Sequence, residues 1–112
     1  MSTSAPDSKV IFQNHTPSVF EFTLNVPKTL NSLDLDMCNM MIPKVQEWHA
    51  KPAESPRVVL ISGGGEKAFC AGGDIVSLYH ANKGTTPDKS IMGKFFAQEY
   101  LLDYALSTMK PM

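Results

Sequence analysis

The segment GGGEKAFCAGGDI, residues 63–75, places five glycines, one thiol and one aspartate just after the apolar run RVVLI. Bare backbone of this kind either lets a chain turn where side chains do not fit, or lets a ligand come close to main-chain N–H groups. Gly63, Gly65 and Ala68 match G-x-G-x-x-A, the spacing of a dinucleotide loop. That loop needs a helix running on from its third small residue, and Gly72 and Gly73 break such a helix within a turn. The acidic residue it also needs at the close of a second strand is missing, since Asp88 falls in a loop, and no G-x-x-x-x-G-K-[ST] occurs. What remains is a plain strand-to-helix crossover or a site for an oxyanion. Ala71, Gly72 and Gly73 immediately precede Asp74, in the predicted first turn of a helix, where unbonded N–H groups point outward at the positive end of the helix dipole. With no side chain at Gly73, a ligand oxygen can reach its N–H, and one such donor contributes roughly 2.7–4 kcal/mol in a transition state.

A second candidate is Glu99. On a helix over 90–108, Ile91, Phe95, Leu102 and Leu106 share one arc, and Glu99 falls inside it. A carboxylate on an apolar face costs several kcal/mol, on the order given by transfer data, unless it gains partners. The alternative is a glutamate at the rim of the face reaching water. Cys70 beside the glycines has no histidine placed locally to activate it, and reads as a small core thiol. His15, His49 and His80 fall in a turn and at two helix ends, as surface or capping residues, and Met37 and Met41 are core packing rather than metal ligands. Cys38 and Cys70 lack CxxC or histidine spacing, so two free thiols in a reduced compartment are expected, with no metal site.

These candidates need elements to hold them. Residues 10–12 and 19–24 are β-rich runs around QNHTPS and predict a hairpin with Phe20, Phe22 and Leu24 on one face. Asp34 predicts the N-cap of a helix to about His49, with Met37, Met41, Val45 and Trp48 as its buried stripe and Pro43 kinking or splitting it. Residues 57–62 read as a strand buried on both faces, and 74–80 as a short helix. Strands alternating with helices give an α/β layered class. The 112 residues fit one small domain or part of a larger one, with 1–9 a flexible tail and the domain over 10–112. A net charge of −1 with a single arginine, Arg57, argues against a nucleic-acid partner, and no 18-residue apolar stretch predicts a membrane span.

The motif KAFCAGGDI resembles the A-F-x-A-G-x-D-[ILV] signature of the crotonase (enoyl-CoA hydratase/isomerase) superfamily, and VPKTLNSLDLDM is similar to its P-x-x-L-N-[AS]-L segment. The Gly72-Gly73 pair and FFAQEYLLDYALSTMKP most resemble the superfamily's 3-hydroxyisobutyryl-CoA hydrolase branch. The resemblance runs from about residue 10 to 111. It implies a crotonase-like spiral of β-β-α units, of which only the N-terminal part is expected here. It implies an acyl-CoA substrate whose thioester oxygen meets the Gly73 N–H, with Gly72 beside it and Glu99 accepting a hydrogen bond from the substrate hydroxyl. CoA would lie against the backbone of Ala68 and Ala71, with Lys28 and Leu30 beside its nucleotide. Asp74 belongs to the same CoA-binding stretch and is read as its cap and loop anchor, not as an acid or base. No cofactor beyond the CoA of the substrate is implied. The resemblance also implies a mitochondrial, valine-degrading enzyme, allows a homo-oligomer, and places a second glycine-rich loop and the acidic catalytic residues after residue 111. Hydratase or isomerase chemistry, or a non-catalytic subunit of an assembly such as a mitochondrial ribosome, are the alternatives. Co-purification with a ribonucleoprotein particle and no CoA binding would favour the last.

Overall fold

The structure is a computed structural model that describes residues 7–83 and 90–109. The sequence predicts a surface loop over 81–89 and a further strand near Pro111. Residues 81–83 are instead helical, continuing the short helix expected to end near His80. Residues 84–89, the first six residues of the expected tail, the strand near Pro111 and the burial of Ile91 lie outside the described residues. Strand β1 (Val10–Thr16) turns through Pro17 and Ser18 into β2 (Val19–Leu24), and the two pair antiparallel with Phe12 opposite Phe22. The Ser18 N–H donates to Thr16 Oγ1 at 3.1 Å, which tightens the turn to two residues. β1 therefore extends through Gln13, Asn14 and His15, which the sequence placed in the turn. Polar residues are tolerated there because the end of β1 is exposed, and a register shift between Asn14 and Thr16 absorbs the mismatch with β2.

The period-2 pattern of β2 sends Phe20, Phe22 and Leu24 to the buried side. Helix α1 (Leu35–Ala50) covers that side, and Trp48 meets Phe20 edge-on with ring centroids 4.9 Å apart. Phe12, Phe20 and Phe22 extend the ring cluster at 5.2–6.1 Å. All four residues of the predicted stripe, Met37, Met41, Val45 and Trp48, are buried, as are Cys38 and Ile42. Asp34 caps α1 by accepting from the Met37 N–H at 2.9 Å. Lys9 then bridges Asp34 and Asp36 at 2.8 and 2.9 Å, and the Asn25 N–H donates to the Lys9 carbonyl. The chain is thus anchored already at Lys9.

Pro43 does not split α1, which runs unbroken for 16 residues. Proline withholds one N–H from the ladder, but packing against the sheet on one side and α3 (Ile91–Ser107) on the other holds the flanking turns. His49 adds a link from α1 to α3 by a 2.7 Å hydrogen bond to the Ala105 carbonyl.

β3 (Val58–Gly63) pairs parallel to β2, giving the order β1-β2-β3. The expectation that it is buried on both faces is not met. Val58, Leu60 and Ile61 are exposed, because β3 is the edge of the sheet and no described element lies beyond it. Helix α2 (Ile75–Lys83) leaves Ile75 76 % exposed, and α3 leaves Tyr104 68 % exposed. An apolar run suited to a covered strand stands here without cover.

Two outcomes follow. Asp34→Ala removes the cap and one arm of the Lys9 bridge, and urea denaturation should show a loss of about 1 kcal/mol, up to about 2. The 112-residue chain expressed alone should aggregate or melt without a cooperative transition in calorimetry; a sharp transition from a monomer would contradict the reading of these apolar faces as unfilled contacts.

Candidate functional site

The residues singled out in the sequence lie along a seam between two loops. One follows β2, with a single helical turn at Pro27–Thr29, and runs to Asp34. The other follows β3 and runs to Asp74. Their backbones are stitched from end to end. The Gly64 N–H donates to Leu24 O at 2.7 Å, the Ala71 N–H to Leu30 O at 3.0 Å, the Leu33 N–H to Gly72 O at 2.7 Å, and the Asp74 N–H to Leu33 O at 2.8 Å. The last two form a short parallel bridge between Leu33 and Gly73.

Close approach explains one of the glycines and backbone conformation another. A Cβ on Gly63 would strike the backbone of Phe69 and lie 2.6 Å from the Ala68 oxygen, so the second loop can fold back over the end of β3 only with glycine there. Gly72 has φ +99° and an open neighbourhood, so its constraint is conformational rather than steric. The positive φ at Gly72 turns the chain from the seam into α2.

The N–H groups around that turn are nearly all used. Ala71 donates to Leu30, Gly72 to Cys70 Sγ at 3.4 Å, and Asp74 to Leu33. Among the described residues the Gly73 N–H has no partner. Beside it the ring of Phe95, on α3, would lie 3.3 Å from a Cβ at Gly73, which leaves the α-carbon against a buried aromatic and the amide unblocked by any side chain of its own. Asp74 sits immediately before α2 with its carbonyl accepting from the Leu78 N–H, in the position of a cap.

On the other side of the seam, Lys28, Leu30 and Ala68 line one groove of about 390 Å3 together with Asn31, Gly64 and Lys67. Leu30 and Asn31 are both left-handed, with φ of 55° and 57°. Leu30 holds its side chain in solvent despite the steric penalty a bulky residue meets there. Ala71 does not line this groove, but is tied to it through the Leu30 carbonyl. Glu99 stands apart from the groove, one helical turn after Phe95, whose ring faces Gly73. Glu99 is half-buried on the side of α3 that packs on α1. Burial, reinforced by the charge of Asp103, holds its carboxyl above the usual range. Its charge in turn adds to the burial that pushes the Cys38 thiol up to about 12. Cys70 is half-buried rather than in the core, its sulfur turned to the Gly72 backbone.

The sequence reading missed Asn31 and Lys67. Lys67 is an exposed lysine within a motif whose signal is carried by its small residues. Asn31 is fully buried and holds the two loops together: its Nδ2 donates to both Gly64 O and Ala68 O at 2.9 Å, and its Oδ1 accepts from the Val26 N–H at 2.8 Å. Two cues were present: an asparagine inside a turn-like stretch, where a left-handed conformation is common, and its fixed place in the P-x-x-L-N-[AS]-L segment.

The arrangement has relatives. The sequence profile described as enoyl-CoA hydratase/isomerase matches residues 19–112. The chain is 38 % identical over 108 residues to a protein of Danio rerio named 3-hydroxyisobutyryl-CoA hydrolase, mitochondrial, covering 96 % of this chain and 27 % of that one. It is 41 % identical over 90 residues to the Homo sapiens protein of the same name, covering 80 % and 22 %. The chain thus spans about a quarter of the length of these curated relatives. Among solved structures, a carnitinyl-CoA dehydratase from Mycobacterium thermoresistibile superposes with TM-score 0.77 at 33 % identity, over 92 % of this chain and 28 % of that one. An enoyl-CoA hydratase from Rhodobacter sphaeroides superposes with TM-score 0.74 at 27 % identity, over 93 % and 29 %. The hairpin, the parallel third strand, the glycine seam and the helices around it are those of the crotonase fold, and the chain belongs to the enoyl-CoA hydratase/isomerase (crotonase) family.

Proposed function

We propose that this chain forms the thioester-binding part of an acyl-CoA hydrolase that converts 3-hydroxyisobutyryl-CoA to 3-hydroxyisobutyrate and CoA. The observation that carries the reading is the Gly73 N–H, left without a partner while the N–H groups of Ala71, Gly72 and Asp74 are all engaged. A thioester carbonyl oxygen placed before Gly73 accepts that hydrogen bond. When water adds to the carbonyl carbon, the oxygen gains the negative charge of the tetrahedral intermediate, and the preorganised donor is worth more to that charge than to the neutral ester. Collapse of the intermediate breaks the C–S bond and releases the CoA thiol. Water is the only co-reactant, so no cofactor is required.

CoA lies along the groove in this reading. The exposed Leu30 side chain offers an apolar wall, Ala68 and Ala71 offer backbone contacts, and Lys28 and Lys67 supply positive charge for the phosphates. Glu99 accepts a hydrogen bond from the 3-hydroxyl of the acyl group. A half-buried carboxylate costs stability in the free protein, which makes sense for a group whose partner arrives with the substrate. The names of the relatives from Danio rerio and Homo sapiens favour this substrate and a mitochondrial site of action. The two superposed structures, named as a dehydratase and a hydratase, favour a second reading in which the same Gly73 donor serves hydration of an enoyl-CoA. Release of free CoA from a 3-hydroxyacyl-CoA, against loss of enoyl absorbance, separates the two.

Two variants of the protein encoded by the complete reading frame test the assignment. Gly73→Pro deletes the N–H and should lower kcat by about 10²–10³-fold with the fold intact by circular dichroism; full activity would exclude Gly73 as a donor. Glu99→Gln should raise KM for the hydroxyacyl thioester more than for the acyl thioester lacking the hydroxyl. The same variant has a stability signature. Because the folded-state pKa of Glu99 is raised, its ionised form opposes folding. Ligand-free Glu99→Gln should therefore melt above the parent at neutral pH, and the gap should close as pH falls below the ordinary carboxylate range. An unchanged KM ratio and a gap that ignores pH would count against both assignments.

A further inference from the structure

The groove and the Gly73 amide belong to different stretches of chain, and one side chain joins them. Asn31 is completely buried, and its amide uses both hydrogens, one on the Gly64 carbonyl and one on the Ala68 carbonyl, at 2.9 Å each. Its Oδ1 takes the Val26 N–H, and its own N–H returns to the Val26 carbonyl at 2.9 Å. The side chain thus spans the bottom of the groove whose rim carries Lys28, Leu30 and Lys67. On either side the backbone stitches continue, from Gly64 to Leu24 and from Ala71 to Leu30.

We infer that Asn31 is a positioning residue for CoA: it holds the 64–68 turn against the 26–31 loop so that the groove is formed before the ligand arrives. The inference rests on the thioester reading of the site. Its physical basis is preorganisation. A turn that must be ordered on binding subtracts that ordering from affinity, whereas a turn already fastened does not. The hydrogen bonds of Asn31 go to Val26, Gly64 and Ala68 and none to Gly73, so its contribution falls on the part of the ligand that lies in the groove. Asparagine is specified because the left-handed backbone, two donors and one acceptor are all required at one position. Aspartate has the same shape but presents an oxygen to two carbonyl oxygens, and leucine or alanine removes the donor from two part-buried carbonyls.

The test uses the protein from the complete reading frame and two substrates: the 3-hydroxyacyl-CoA, and the same acyl group on N-acetylcysteamine, which lacks the nucleotide and most of the pantetheine arm. Asn31→Asp should raise KM for the CoA thioester about tenfold or more and leave KM for the truncated thioester within about threefold, with kcat changed less than KM. Equal losses on both substrates, or none on either, would overturn the inference. If Asn31→Asp does not fold, amide exchange in the unaltered protein decides. The Gly64 and Ala71 amides should exchange together with those of residues 30–33 and slow as one unit when CoA is added. Independent exchange, or no slowing at saturating CoA, would overturn it. A parent protein that binds no acyl-CoA would instead overturn the thioester reading, and this inference with it.

Discussion

Everything at the site depends on two loops being held together without a side chain in the way. The end of β3 meets the returning 68–69 backbone so closely that only Gly63 fits, and Asn31 supplies the polar fastening that such a tight, buried approach demands. The carbonyls at Gly64 and Ala68 are part-buried, and fully buried groups of this kind cost about 1–3 kcal/mol each if left unpaired, which sets an upper bound here. One amide satisfies both. Below this fastening lie the ring cluster of Phe12, Phe20, Phe22 and Trp48 and the stripe of α1, which fix where the two loops begin.

The seam then decides which backbone groups remain available. Hydrogen bonds to Leu30, Cys70 and Leu33 occupy the N–H groups of Ala71, Gly72 and Asp74, and the turn at Gly72 leaves Gly73 as the exception. Phe95 connects this point to α3, and so to Glu99 one turn later. In the proposed reading, a donor for the thioester oxygen and an acceptor for the substrate hydroxyl are thereby carried on two elements that share one aromatic contact. Behind them, Cys38 is fully buried in the α1–α3 interface, and that burial together with the charge of Glu99 holds its thiol well above the usual range.

What was legible in the sequence was local or periodic. The Asp34 cap bonds a residue three positions away, the α1 stripe repeats with the helix, and Phe20, Phe22 and Leu24 alternate along one strand. The glycine motif was legible as a backbone feature, because the close return at Gly63 and the positive φ at Gly72 both call for glycine. Three features were not. Asn31 finds its partners 33 and 37 residues away, and no local pattern announces that. Pro43 argued for a break, but the helix continues because packing on both sides outweighs one missing bond. The run in β3 reads as doubly covered, whereas burial is a property of neighbours, and β3 is a sheet edge with Val58 and Leu60 in the open.

The central claim is that the Gly73 amide meets the thioester oxygen. With the complete protein labelled at glycine nitrogen, the Gly73 resonance can be followed during titration with two unreactive CoA ligands. One is a ketone in which methylene replaces the thioester sulfur, and the other is a thioether without the carbonyl. The account predicts a downfield shift of the Gly73 proton with the ketone and little change with the thioether. A saturating ketone that leaves Gly73 unmoved, or the same shift from both ligands, would contradict it.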